Sequence, residues 1–226
     1  MSHLNDLLFG VYPYVAGTVF LLGSLLRFER DQYTWKAHSS QMLSSAGFRR
    51  ASNFFHIGII GIFLGHFVGL LTPPAVWHAL GVSPSFKQGI AIVAGGALGT
   101  LCFIGLTALV RRRLYDPRVR ANSSRMDIVI LLAIYLQLIL GLLTIPVSLF
   151  HLDGGNMLAL MAWAQNIVTF DGPAAAQIAA GFGWLFKLHL LLGMTIFLLF
   201  PFSRLVHIWS VPIGYIKRPY QVVRQR

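Results

Sequence analysis

The sequence predicts an all-α integral membrane protein, a bundle of five transmembrane helices with its N-terminus outside and its C-terminus in the cytoplasm. Three observations predict this. Of 226 residues, 56% are hydrophobic and 11% are charged, with mean hydropathy +0.68. A soluble domain carries about 25% charged residues, and a water-facing surface this poor in charge aggregates. Apolar runs of the roughly 20 residues needed to cross a bilayer core recur along the chain. Finally, charge is confined to the gaps: none occurs between Asp6 and Arg27, Arg50 and Lys87, or Lys87 and Arg111. The formal charge of +11 therefore reads as membrane topology rather than a phosphate-binding face, and no nucleic-acid partner is expected.

The expected spans are approximately 7–26, 52–72, 88–110, 127–149 and 182–206. Pro13 stands in the first turns of the first span, where it can kink the helix. The N-terminal Met-Ser-His-Leu-Asn-Asp lacks the positive start of a signal peptide, so the first run reads as a retained anchor. Pro73 and Pro74 stop the second span, and Pro146 lies near the end of the fourth. Residues 150–181 are too mixed to span; Asp153, Gly154, Gly155, Asp171, Gly172 and Pro173 mark a loop. Between those breaks, Met157 to Phe170 is expected as an amphipathic helix on the membrane surface. A basic cytoplasmic tail occupies 210–226. With no repeat and no separate soluble segment, residues 1–226 read as one membrane domain.

Orientation follows from the basic residues. Arg27, Arg30, Lys36, Arg49 and Arg50 follow the first span, and Arg111, Arg112, Arg113, Arg118, Arg120 and Arg125 follow the third. Arg204, Lys217, Arg218, Arg224 and Arg226 close the fifth span and the tail. Sixteen of the 18 basic residues thus fall on one side, against Lys87 and Lys187 on the other. The positive-inside bias makes the crowded side cytoplasmic.

The chemistry rests on histidine. The single cysteine, Cys102, lies in an apolar run. There is neither a C-x-x-C-H for covalent haem attachment nor a multi-cysteine iron–sulfur set. Of eight histidines, His3, His38, His78 and His151 lie near span ends or in loops, where a solvated imidazole needs no explanation. His56 and His66 lie in the second span, His189 and His207 at the fifth. Any one alone is more simply a hydrogen-bonded packing residue, yet an ionisable side chain within a membrane is costly and points to function. The two spans run antiparallel, so His56 matches His207 near the cytoplasmic face and His66 matches His189 nearer the outside. Two bis-histidine sites at two heights suit two non-covalent b haems, each axially saturated and fit for electron transfer.

The heights do not match simply. At 1.5 Å rise per residue, His56 to His66 covers about 15 Å and His189 to His207 about 27 Å, so tilt or a bend at Pro201 must reconcile them. Gly58, Gly61, Gly65 and Gly69 form a small-residue stripe on the second span, as do Gly95, Gly96 and Gly99 on the third. Such stripes serve close helix packing and equally make room for a flat macrocycle. All seven acidic residues lie in loops or at span ends, which argues against a proton pump or ion-coupled transporter. Gly95–Gly96 in an apolar helix is no phosphate loop.

Over almost its whole length the chain resembles the cytochrome b, or gamma, subunit of bacterial respiratory nitrate reductase. The resemblance is carried by Tyr12-Pro13-Tyr14, Gln32-Tyr33-Thr34-Trp35, Ser39-Ser40-Gln41-Met42-Leu43 and Ala51-Ser52-Asn53 through His56-Ile57-Gly58 to Gly65-His66-Phe67. It continues through Gly141-Leu142-Leu143-Thr144-Ile145-Pro146, Trp163-Ala164-Gln165, Leu188-His189-Leu190 and the run from Phe200 through His207 to Ser210. The family's haem ligands fall on His56, His66, His189 and His207. The resemblance implies a quinol-oxidising anchor in the bacterial inner membrane, with cytoplasmic partners carrying iron–sulfur clusters (beta) and a molybdenum cofactor (alpha). It implies that electrons enter at the outer haem and leave from the inner one, with protons released outside and nitrate reduced on a partner. The alternatives are a dihaem cytochrome b of formate dehydrogenase, hydrogenase or a heterodisulfide-reductase-like complex, and a haem-free anchor or transporter.

Two further residues are expected at these sites. Arg204 stands three residues before His207, on nearly the same helix face, where it can pair with a propionate of the inner haem. Lys87, at the outer start of the third span and level with His66, is expected to contact quinol, with Gly65 and Gly69 leaving room for the ring. The plainer reading of Lys87 is a helix-end lysine that snorkels to the interface. No residue is singled out as catalytic.

Overall fold

The structure, a computed structural model, describes residues 2–36, 43 and 47–210. The tail with Lys217, Arg218, Arg224 and Arg226, together with Ser39, Ser40, Gln41 and Met42, lies outside the described residues. Among the described residues the chain is α-helical, and five helices are long and apolar enough to cross a membrane. The spanning helices are α1 (His3–Arg30), α2 (Phe48–Leu71), α4 (Pro84–Tyr115), α6 (Arg125–Leu149) and α9 (Trp184–Leu199), the last extended to Phe202 by a 3₁₀ turn. Shorter helices join them: α3 (Pro74–Ala79), α5 (Pro117–Ala121), α7 (Gly155–Val168) and α8 (Gly172–Ala180).

Local signals set these boundaries. Ser83 caps α4, its hydroxyl accepting from the Phe86 N–H at 3.2 Å, with Pro84 at the first helical position. Ser124 and Asp127 form a reciprocal capping box at the start of α6. Gly47, at φ 84°, supplies the left-handed turn that starts α2, and Pro73 ends that helix. Pro13 has no N–H for the carbonyl of Phe9. The helix takes a π turn over Leu7–Val11 just before it, and the Phe9 carbonyl instead accepts from Trp163 Nε1 at 3.2 Å. The expected kink is thus a π turn tied to α7.

Neighbouring spans pack in the order α2, α4, α6, α9, α1, curled so that α2 also comes to face α9. The closest joint is α2 on α4: a Cβ built on Gly58 would lie 2.6 Å from Cys102 Cβ, and one on Gly105 2.5 Å from the Phe55 nitrogen. Around that joint Cys102, Leu106, Val110 and Leu138 form one buried cluster. A second cluster joins α1, α7, α8 and α9 through Phe9, Ala16, Trp163, Ala175 and Met194.

The segment 150–181 departs from expectation. It forms two helices, α7 and α8, rather than a loop around one surface helix, and α7 packs into the bundle. Met161, Trp163 and Ala164 are buried, and Gln165 Nε2 donates to the carbonyls of Leu70 and Thr72 at 3.0 and 3.2 Å. Its polar residues close the end of α2, whose last carbonyls have no partner within the helix.

Candidate haem and quinol sites

His66 on α2 faces His189 on α9, with ring centroids 6.2 Å apart and planes at 40°. Two imidazole–metal bonds of about 2 Å each, with the half-rings behind them, fill such a separation. His66 Nδ1 lies 2.9 Å from the Ile62 carbonyl one turn back. That contact fixes the proton on Nδ1 and leaves Nε2 as a free lone pair, the arrangement of a metal-ligating histidine. His66 is exposed on an apolar helix, where lipid offers Nε2 no hydrogen-bond partner. His189 is different: its Nδ1 is buried without a partner, and its Nε2 lies 3.4 Å from Gln137 Nε2.

The glycine stripe of α2 divides at this point. Gly58 and Gly61 pack against Cys102 and Leu98 of α4, whereas Cβ atoms on Gly65 and Gly69 would meet nothing within 4 Å. The first pair serves helix packing, and the second leaves open space beside His66. On α4, Gly99 packs on Leu142 while Gly95 borders open space.

At the opposite end His56 and His207 share the same local device. His56 Nδ1 lies 2.7 Å from the Ser52 carbonyl, and His207 Nδ1 2.6 Å from that of Arg204. Among the described residues their rings make no direct contact. The break that the unequal spacing demanded is present: α9 gives way to 3₁₀ turns at Phe200–Phe202 and Arg204–Ser210, with Ser203 extended between them. Arg27 Nη1 donates to the Pro201 and Ser203 carbonyls at 2.6 and 2.9 Å, satisfying groups that the broken helix cannot.

Arg204 Nε donates to Asp127 Oδ1 at 2.9 Å, so Arg204 is held by the first turn of α6. The other oxygen of Asp127 accepts from the Ser124 N–H at 3.0 Å. Asp127 and Arg27 are the residues of this end that sequence reasoning passed over. The Ser-x-x-Asp spacing at 124–127 signals a cap, but nothing in it signals Arg204.

Lys87 does not snorkel. It is 7% exposed, and its Nζ donates to the Gly69 carbonyl at 2.6 Å, touches Met161 Sδ at 2.7 Å and sits 4.6 Å from the Trp77 ring centre. Gly69 stands three residues beyond His66, so the ammonium is fixed about one helical turn from that imidazole. One of its three N–H donors remains for another acceptor.

Open space and free imidazole nitrogens on apolar, membrane-length helices fit a flat metal macrocycle. The fold and site together define an integral membrane protein of the cytochrome b type. The profile of the nitrate reductase gamma subunit matches residues 5–226, and the chain belongs to that family. It is 55% identical to the respiratory nitrate reductase 1 gamma chain of Escherichia coli (strain K12) over the whole of both chains. It is 50% identical to the respiratory nitrate reductase 2 gamma chain of the same organism, covering 100% of this chain and 99% of that one. The nitrate reductase gamma chain of Bacillus subtilis (strain 168) is 34% identical, with 98% and 99% covered.

Proposed function

We propose that this chain is the quinol-oxidising, dihaem cytochrome b subunit of a respiratory nitrate reductase, anchoring that enzyme in the bacterial inner membrane. The observation that carries the reading is the pairing of His66 with His189, rings 6.2 Å apart on two membrane-length helices. Full-length identity of 55% to a respiratory nitrate reductase gamma chain supports the same reading and disfavours the formate dehydrogenase, hydrogenase and heterodisulfide-reductase-like alternatives.

His66 with His189, and His56 with His207, would hold two b haems, which when bound would supply one-electron transfer across the membrane. The residues around them bind, orient and shield. Ile62, Ser52 and Arg204 offer backbone carbonyls that hold three of the imidazoles in the ligating tautomer. Arg204 also stands to pair with a propionate at the His56–His207 site, a cation suited to a carboxylate.

Quinol binds beside His66. Gly65 and Gly69 leave space for the ring, and Lys87, buried against Gly69, donates to one ring oxygen. An ammonium there favours loss of that oxygen's proton. Oxidation of one quinol yields two electrons and two protons. Sixteen of the 18 basic residues gather at the other end of the topology, which is therefore cytoplasmic, and the quinol protons are released outside. The cytoplasmic face docks the iron–sulfur (beta) and molybdenum-cofactor (alpha) subunits, where two electrons and two protons reduce nitrate to nitrite and water.

The test is purification of the complex from membranes, with identification of its cytoplasmic subunits and a reduced-minus-oxidised spectrum. Two b-type components reducible by quinol, together with nitrate reductase subunits, are expected. Absence of b-type bands overturns the haem assignment, and a different set of cytoplasmic subunits overturns the nitrate assignment.

A further inference from the structure

We infer that Gln137 of α6 is the positioning residue of ligand His189, replacing the backbone carbonyl that holds each of the other three histidines. The inference rests on the haem reading above. His56, His66 and His207 each have Nδ1 within 2.6–2.9 Å of a carbonyl three or four residues back. His189 has none. Its Nδ1 is buried without a partner, and so is Oε1 of the neighbouring Gln137. Two unpartnered buried atoms therefore lie on adjacent side chains, whose Nε2 atoms are 3.4 Å apart.

The two helices make room for this pair reciprocally. Gly141 is one turn beyond Gln137, and a Cβ there would lie 3.0 Å from His189 Cε1. Gly193 is one turn beyond His189, and a Cβ there would lie 3.1 Å from Gln137 Nε2. Each polar side chain thus rests over the glycine that follows the other on its own helix. Gln137 is also the single Asn or Gln in the span Arg125–Leu149, where an amide needs a partner because lipid supplies none.

A half-turn of the Gln137 amide exchanges Oε1 and Nε2 and moves nothing else. It presents an acceptor to the Nε2–H of His189 and leaves Nδ1, the nitrogen without a partner, for the metal. A histidine that gives one nitrogen to a metal carries its proton on the other and needs such an acceptor, which makes the imidazole a stronger ligand. A stronger donor favours the oxidised metal, so Gln137 lowers the potential of the haem at His66 and His189.

The experiment is redox titration and low-spin EPR of the intact membrane complex carrying Gln137→Met or Gln137→Glu. Gln137→Met removes the acceptor at similar size, and should raise the midpoint potential of the haem lost in His189→Ala while leaving the other haem unmoved. Gln137→Glu keeps an acceptor oxygen in either protonation state, and should not raise it. An unchanged potential and EPR signal in Gln137→Met, equal shifts of both haems, or the same rise in Gln137→Glu overturns the inference and leaves the haem reading standing. If the wild-type complex holds no haem that depends on His189, both fail together.

Discussion

Arg27, at the end of α1, donates through Nη1 to the carbonyl of Pro201 at 2.6 Å, at the break that ends the fifth span. The same nitrogen reaches the Ser203 carbonyl at 2.9 Å, and Gly23 one turn earlier lies so close that a Cβ would be 2.8 Å from Pro201 Cγ. The first span thereby fixes the direction in which the chain leaves the bundle toward His207. Hydrogen bonds to charged groups contribute about 1.5–3 kcal/mol. Arg27→Met should destabilise the protein by about that much, and should lower occupancy of the haem at His56 and His207 while the other haem persists. Thermal unfolding and haem quantitation in the same preparation measure both effects. Full occupancy with unchanged unfolding contradicts the bracing role.

Asp127 and Arg204 form the second clamp at this end. Asp127→Ala removes one of the two hydrogen bonds of the capping box, worth about 0.5–1.5 kcal/mol, and strips Arg204 of a carboxylate 2.9 Å away. The Arg204 side chain keeps 20% exposure, which puts the total loss at about 3 kcal/mol, the low end for a broken buried pair. Asp127→Asn keeps an oxygen for the cap and should lose less. Arg204→Leu tests the propionate directly: the potential of the haem at His56 and His207 should shift. An unchanged potential and occupancy in that variant refutes the contact.

The divided glycine stripe predicts opposite outcomes for two like substitutions. Gly58→Ala pushes a methyl to 2.6 Å from Cys102 Cβ and 2.7 Å from the Leu98 carbonyl, an overpacking worth about 1–3 kcal/mol. Gly65→Ala meets nothing within 4 Å. It should leave folding and insertion intact while lowering haem content or quinol turnover. Detergent-solubilised unfolding curves separate the two, and equal destabilisation by both would show that the space beside His66 is ordinary packing surface.

Lys87→Ala should abolish quinol oxidation and inhibitor binding with both haems retained. The ammonium is anchored to the Gly69 carbonyl and Met161, so some loss of stability accompanies the change. Lys87→Arg, which keeps the charge on a larger head, should retain part of the turnover. Normal quinol kinetics in Lys87→Ala would sink the assignment.

Much of this molecule is legible without coordinates because lipid is an exacting solvent. A backbone that must satisfy itself forms helices, so all five spans follow from runs of apolar residues, and the histidines stand out by their cost. What the sequence hides is the three-dimensional partner. Lys87 looks like a helix-end lysine, yet it is buried because α7 folds over it and brings Met161 to its ammonium. Residues 150–181 look like a loop around one surface helix because their apolar face is divided between two short helices, and its core-facing share shows only once Trp163 meets the Phe9 carbonyl freed by Pro13. Gln137 is a lone amide in an apolar run that sequence reading passes over, because its meaning depends on Gly141 and Gly193 lying opposite it.

The central claim is that His66 and His189 hold one haem and His56 and His207 another. It is tested most directly by redox-titrated optical spectra of membranes carrying each histidine-to-alanine change singly. His66→Ala and His189→Ala should lose the same b-type component, together with reduction by quinol. His56→Ala and His207→Ala should lose the other and keep a component that quinol reduces. Loss of different components within a pair, or retention of both components in any of the four with the protein inserted, would contradict it.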